Sequence, residues 1–243
     1  MIPNPWDVGS ARMLASMGFQ ALATTSSGFA FTLGRVDGRA TLAETSTHVA
    51  ALVAATELPV SVDLENGYGA GPDDAAHAVT RIAAAGAVGG SIEDYDPRGR
   101  LYEPDHAIER IVAAVEAARA LPHPFMLTAR AENHIRGNPD LDDTIARLQA
   151  FADAGADVLY APGLRTADEI RAVCDAVSKP VNVLARSDLS RDEIVEAGAQ
   201  RISVGGALAW AAVAAAADAA RAITERGDFS GLGSSPPLDD WFR

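Results

Sequence analysis

The chain has 243 residues, 48% hydrophobic and 22% charged, with a formal net charge of −13, an ordinary globular composition with room for a large core. A polyanion is a poor partner for nucleic acid or an anionic membrane surface, so neither is expected as a partner. The single cysteine, Cys174, excludes an internal disulfide framework and a multi-cysteine metal site.

The opening MIPNPWDVGS lacks a basic segment followed by an apolar stretch and does not read as a signal peptide. The alanine-rich AAVAAAADAARAI is interrupted by Asp218 and Arg221 and reads as a packed helix rather than a membrane span. The expected location is the cytoplasm.

In chain order, residues 1–4 can form the stub of a strand, and residues 6–19 carry apolar residues at helical spacing, ending near Gly18. Apolar runs that end in polar or glycine residues follow at 19–26 (FQALATTS), 58–65 (LPVSVDLE), 87–94 (AVGGSIED), 124–132 (PFMLTARAE), 156–163 (ADVLYAPG), 179–186 (KPVNVLAR) and 199–206 (AQRISVGG). Between them lie helical segments. Residues 104–120 begin with a proline in the first turn, while 141–154 and 192–197 stop at Gly155 and Gly198. Runs that are apolar throughout, alternating with helices, predict a parallel sheet covered on both faces. The fold class is α/β, and the count fits a closed (β/α)₈ TIM barrel over residues 1–225 as one domain. An open doubly wound sheet is the alternative. Residues 226–243 (Gly, Ser and Pro followed by Leu238, Trp241 and Phe242) read as an extended tail with an apolar end fit to dock on a neighbouring subunit.

A parallel barrel carries its chemistry at the C-terminal ends of its strands. Asp63 and Glu65 end one run, Glu93 and Asp94 the next, and Arg130 the one after, with Glu132 beyond it; Ser26, Ser27 and Gly28 end an earlier run, and Asp37 follows in LGRVDG. Converging carboxylates repel one another, so either some are protonated or a cation sits among them. Oxygen ligands without histidine or cysteine suit a hard cation, Mg²⁺ or Mn²⁺. Each feature alone also has a plain reading. Asp63 to Gly67 could be a simple turn, Glu93-Asp94 a helix N-terminal acid pair, and Arg130 a partner of Glu132. Asn182 and Arg186 are candidate substrate contacts, with a buried asparagine satisfied by backbone as the competing reading.

PNPWDVGSARMLASMGF, TTSSGFA, LGRVDG, VDLENGYG, SIED and LTARAE, in this order and spacing, resemble the isocitrate lyase/phosphoenolpyruvate mutase superfamily, and the resemblance runs to ISVGGALAW. It implies a (β/α)₈ barrel with its last helix exchanged between subunits, in homodimers or homotetramers. It implies Mg²⁺ near Asp63, with Asp37, Glu65 and Glu93 holding it mostly through water, and a small 2-oxo acid substrate bound through the metal. Backbone N–H groups around Ser27, Gly28 and Phe29 would bind the substrate carboxylate, and Arg130 would face its C2 oxygen. The implied chemistry breaks or rearranges a C–C or C–P bond through an enolpyruvate-type intermediate, with Arg130 and Glu93 in catalytic roles.

Three features depart from the superfamily pattern. The loop DYDPRGRLYEPDH lacks the lyases' cysteine and offers only Arg98, Arg100 and Tyr102, while Cys174 lies in a helical segment. Pro162 stands where several relatives carry a polar group. Only Met1-Ile2 precede PNPWD, which reads as a clipped first strand or a start further upstream. An intact site favours an enzyme; the missing cysteine favours a non-catalytic binder of 2-oxo acids.

Overall fold

The computed structural model describes residues 1–233 and 235–242. It contains strands β1 (Leu22–Ala23), β2 (Val60–Asp63), β3 (Gly89–Glu93), β4 (Tyr95–Asp96), β5 (Arg100–Leu101), β6 (Met126–Arg130), β7 (Val158–Tyr160), β8 (Val181–Leu184) and β9 (Arg201–Ser203). All but β4 and β5 pair in parallel, in the order β1-β2-β3-β6-β7-β8-β9. Each falls inside one of the apolar runs read from the sequence. β4 and β5 form a separate antiparallel hairpin that the sequence did not reveal.

The stub at residues 1–4 supplies the eighth position and closes the sheet into a barrel. Ile2 bridges in parallel to Ser203 and donates its N–H to Ile202 O at 2.8 Å, while Ala23 N–H donates to Pro3 O at 3.0 Å. The Asn4 side chain continues the seam. Its Nδ2 donates to Thr24 O at 2.9 Å, and its Oδ1 accepts from Val204 and Gly205 N–H, each at 2.9 Å. This closed ring of parallel strands is the TIM barrel, and the open-sheet alternative is set aside.

Helices α1 (Val8–Ser16), α2 (Ser26–Thr32), α3 (Leu42–Val53), α4 (Pro72–Ala84), α5 (Pro104–Arg119), α6 (Leu141–Asp153), α7 (Ala167–Ala176) and α8 (Arg191–Glu196) lie between the strands. Asp7, Thr25, Thr41, Asp140, Thr166 and Ser190 cap α1, α2, α3, α6, α7 and α8 by accepting first-turn N–H groups. Gly155 and Gly198 take left-handed φ of +99° and +102° just past α6 and α8, as their positions predict. Between barrel and helices, Ile82, Ile92, Leu127, Leu148, Phe125 and Phe151 are buried.

The last helix, α9 (Ala207–Arg226), corrects one expectation. The sequence reads there as a packed helix, yet in the single chain only Ala209 of its twenty residues is buried. It is long and apolar enough, by length and composition, to cross a membrane. Leu208 and Trp210 at its start pack on the barrel's own helices, while most of the residues beyond them stay exposed among the described residues. The tail's α10 (Leu238–Trp241) turns back against α1, and Trp241 and Phe242 line a cavity there with Arg12, Ala15 and Leu58.

Asn4→Ala strands two N–H groups and one carbonyl at the seam. An unmet buried polar group costs roughly 1–3 kcal/mol, so urea denaturation of the variant should show a loss of about 3 kcal/mol or more. A loss below about 1 kcal/mol would mean that Asn4 does not hold the seam.

Candidate active site

At the C-terminal ends of β2, β3 and β6 the predicted acids and the predicted arginine meet. Register sets this up: Asp63 pairs with Ser91, and Glu93 with Arg130. Arg130 Nη1 lies 3.6 Å from both Asp63 Oδ2 and Glu93 Oε2. Its Nε donates to Glu132 Oε1, and its guanidinium stands 5.2 Å from the centre of the Tyr160 ring. Glu132 is completely buried and also receives Arg136, at 2.8 Å. Its backbone N–H donates to Asp94 Oδ1 at 2.8 Å, and Asp94 is held in turn by Arg147 at 3.1 Å. Of the acid pair at residues 93–94, Glu93 therefore faces the site and Asp94 supports it from behind.

The stretch after β2 is wired into an unusual turn. Asp63 accepts from Ser26 Oγ and from Glu65 N–H, both at 3.1 Å. Glu65 and Tyr68 have φ of +50° and +62°, left-handed values that cost non-glycine residues about 1–3 kcal/mol each. Gly67, at φ +81°, lies so close to Ala75 that an added Cβ would stand 2.9 Å from its Cα. Asn66 Nδ2 donates to Gly69 O and Tyr102 Oη, and the buried Arg110 donates to the carbonyls of Asn66, Gly69 and Gly71. The turn holds Glu65 toward a cavity of about 320 Å³, which Asp37, Arg39, Glu93, Arg130 and Arg136 also line.

The charge balance there is unfavourable. Burial, then the charges of Asp63 and Asp37, push the Glu65 carboxyl up to about 8. Burial also raises Glu93 well above the ordinary carboxylate range, with Arg130 opposing and Glu132 and Asp63 adding to it. Asp37, on the exposed loop after α2, completes the acidic set. Among the described residues, no three His, Cys, Asp or Glu side chains close tightly enough to enclose a metal ion unaided.

Ser27 lines a second, deeper cavity of about 170 Å³, together with Asp63, Arg130 and Asp37. Gly28 and Phe29 line neither cavity. Gly28 N–H is bonded to Thr25 Oγ1 and Phe29 N–H to Thr25 O. A Cβ on Gly28 would meet Trp6 at 2.8 Å, and Phe29 stacks on His48 with ring centres 4.0 Å apart. Asn182 is buried inside the barrel, where Nδ2 donates to Ser203 Oγ at 3.0 Å; its partner is a side chain, not the backbone of the competing reading. Arg186 is exposed and pairs with Asp188. In the β4–β5 hairpin, Arg98 and Arg100 fold back on Asp96 and Tyr102 is buried, so only Tyr95 and Pro97 of this loop reach the larger cavity. Burial, then Asp175, raises the half-buried Cys174 thiol to about 11, far from thiolate character at neutral pH.

The sequence reading did not single out Arg39, Arg136, Tyr95, Tyr160 or Arg201 as site residues. All five line one of the two cavities. Arg136 gave one available signal. It sits one helical turn after Glu132, and the two form an ion pair.

A closed parallel barrel with acids and one central arginine at its C-terminal rim defines an enzyme of the TIM-barrel class. The chain belongs to the phosphoenolpyruvate phosphomutase family, whose model matches residues 1–224, and with it to the superfamily of phosphoenolpyruvate mutases and isocitrate lyases. A Burkholderia cenocepacia crystal structure, provisionally called a lyase/mutase, is similar at 54% identity and TM-score 0.95, over 98% of this chain and 88% of that one. An uncharacterized Mycobacterium tuberculosis protein is 34% identical over 93% of this chain and 84% of its own length. The crystal structure of a 2,3-dimethylmalate lyase is similar at 27% identity and TM-score 0.87, over 99% of this chain and 87% of that one.

His48 backs α2 through its stack on Phe29, and burial lowers it from 6.5 to about 4, against a smaller opposing effect of Asp7. Between these values the unfolded chain binds a proton that the folded chain refuses, so stability is full above about pH 6.5 and falls as pH drops toward 4. Melting curves at pH 7.5 and 4.5 should show a smaller acid loss for His48→Phe, by up to about 3 kcal/mol. Equal losses in both proteins would place the acid sensitivity elsewhere.

Proposed function

We propose that this enzyme cleaves or rearranges a C–C or C–P bond of a small 2-oxo carboxylic acid, with Mg²⁺ or Mn²⁺ as cofactor. The observation that carries the reading is the excess of carboxyl groups over the guanidinium they share: Asp63, Glu93 and Glu132 surround Arg130, while Glu65 and Asp37 face the same cavity. A hard cation fits this set. The donors are all oxygen, and two of the carboxyls are pushed toward the protonated state, by burial first and by neighbouring acids second. The spacing is too open for a cage of side chains alone, which suits an ion that keeps most of its waters. Asp63, Glu65, Glu93 and Asp37 would hold it, and when bound it would act as a Lewis acid toward the substrate's carbonyl and carboxylate oxygens.

The chain's own residues supply the rest. Arg130 is fixed before any substrate arrives, by Glu132 on one edge and Tyr160 beneath. It can meet negative charge growing on the C2 oxygen as the bond at C3 breaks, with little reorganisation. Ser26 and Ser27 line the wall where the substrate carboxylate would lie. Glu93 is paired with Arg130 and Arg136, at 3.6 and 3.7 Å, so its carboxyl is placed to take part in proton movement at the cavity. The names of the family and of its structural neighbour support this reading, since both describe acids in which a bond is moved or broken.

A second reading, a 2-oxo acid binder without turnover, is favoured by one observation: the hairpin loop brings no cysteine, only Tyr95 and Pro97, to the larger cavity. With Mg²⁺ present, consumption of oxaloacetate, phosphonopyruvate and methylisocitrate above the rate without enzyme decides between the two. Turnover of one is expected. Binding of oxalate with no turnover of any would establish the binder instead. Arg130→Ala should lower the rate by ~10²–10³, and Asp63→Ala should abolish both activity and magnesium uptake in calorimetry. Unchanged turnover removes the substituted residue from the site.

The bare face of α9 supports a homodimer or homotetramer in which this helix packs on a second copy, in place of a membrane or nucleic-acid partner. Light scattering after gel filtration should give a multiple of the 25.2 kDa chain mass. Aspartate substitutions at Ala212 and Ala216, both exposed in the single chain, should shift it toward monomer; a monomeric wild-type protein would end this proposal.

A further inference from the structure

The deeper cavity contains a cation that no acid balances. Arg201 opens β9, and its side chain crosses the barrel interior to donate from Nη1 to Thr128 Oγ1 on β6 at 3.0 Å. Its Nε is buried and has no hydrogen-bond partner. Among the described residues it makes no ion pair. The other inward arginines have more partners: Arg130 is surrounded by three acids, Arg147 has two, and Arg110, whose Nε is likewise unpartnered, gives its two Nη groups to three carbonyls. A partly buried guanidinium with no ion-pair partner is costly, and such groups are ordinarily paired.

We propose that Arg201 is a substrate-binding residue. With Ser61 and Ser91 it forms an anion subsite at the floor of the cleft, which takes one carboxylate of a small dicarboxylic acid while the other end lies at Arg130. Both guanidinium groups line the same cavity of about 170 Å³, and so do both serines. Arg130 has its charge met by protein acids, so Arg201 is the cation left to attract a ligand anion. The guanidinium fork matches a carboxylate, and a charge-assisted bond is stronger than a neutral one. Beside Arg201 in the register, Asn182 leaves Oδ1 buried without a partner. Asn182 does not itself line the cavity, so it backs Arg201 and is no part of the subsite.

The subsite rests on the 2-oxo acid reading above and narrows it to dicarboxylates. Calorimetry with oxalate tests it, in magnesium buffer and again in EDTA. Arg201→Gln should weaken oxalate at least about tenfold in both buffers. Arg201→Lys should recover part of the loss. Thr128→Val removes the structural partner but keeps the guanidinium, and should bind oxalate like the wild type. If Arg201→Gln binds oxalate unchanged, or Thr128→Val loses as much as Arg201→Gln, the subsite is overturned and the 2-oxo acid reading stands. If the wild type binds no oxalate in either buffer, both fall together.

Discussion

The rim depends on one fixed guanidinium. Arg130 could swing toward any of the acids around it, yet Glu132 decides where it points. Glu132 is wholly enclosed, grips Arg130 and Arg136 with its two oxygens, and has its own backbone tied to Asp94. Asp94 is anchored to Arg147, which also reaches Asp143 on α6. Ion pairs joined by one backbone hydrogen bond thus run from α6 to the C-terminal end of β6. Breaking such a chain anywhere leaves an uncompensated buried charge, so its members act as a unit.

Barrel register turns distance along the chain into proximity. Glu93, Arg130, Tyr160, Asn182 and Arg201 are successive cross-strand neighbours, although more than a hundred positions separate the first from the last. In a parallel sheet, such neighbours point to the same face. Here that face is the barrel interior, and a tilted row of polar side chains descends from the rim to the floor. The site is therefore a cleft with depth rather than a flat ring of strand ends.

The strands were legible because runs apolar throughout, ended by glycine or acid, have few other uses. The acids at strand ends were legible because charge is out of place there unless something meets it. Arg39 and Arg136 were not, because position in a loop does not say which way a side chain turns. Arg98 and Arg100 show the converse: loop arginines that looked available and are spent on Asp96. Gly28 and Phe29 looked like a binding loop, and part of their pattern reflects packing on Trp6, Thr25 and His48. The bareness of α9 was implied only by the resemblance, through a last helix exchanged between subunits, and not by composition, since alanine-rich helices look alike whether their cover comes from the same chain or another.

Glu65 is unfavourable twice over. Its backbone sits where glycine would sit more easily, and its carboxyl faces two like charges in a half-buried cavity. Asn66 and Arg110 hold the turn against that strain, which shows that the fold sustains the arrangement but not what it gains from it. A cation or a bound proton gains from it directly, because positive charge relieves both the burial of the Glu65 carboxylate and its repulsion by Asp63 and Asp37. The same holds, with the sign reversed, for Arg201 and an anion. A cleft with surplus acid at its mouth and a guanidinium without an ion pair at its floor is incomplete as folded. Ligands that complete it must stabilise the protein in proportion to the logarithm of their concentration over Kd.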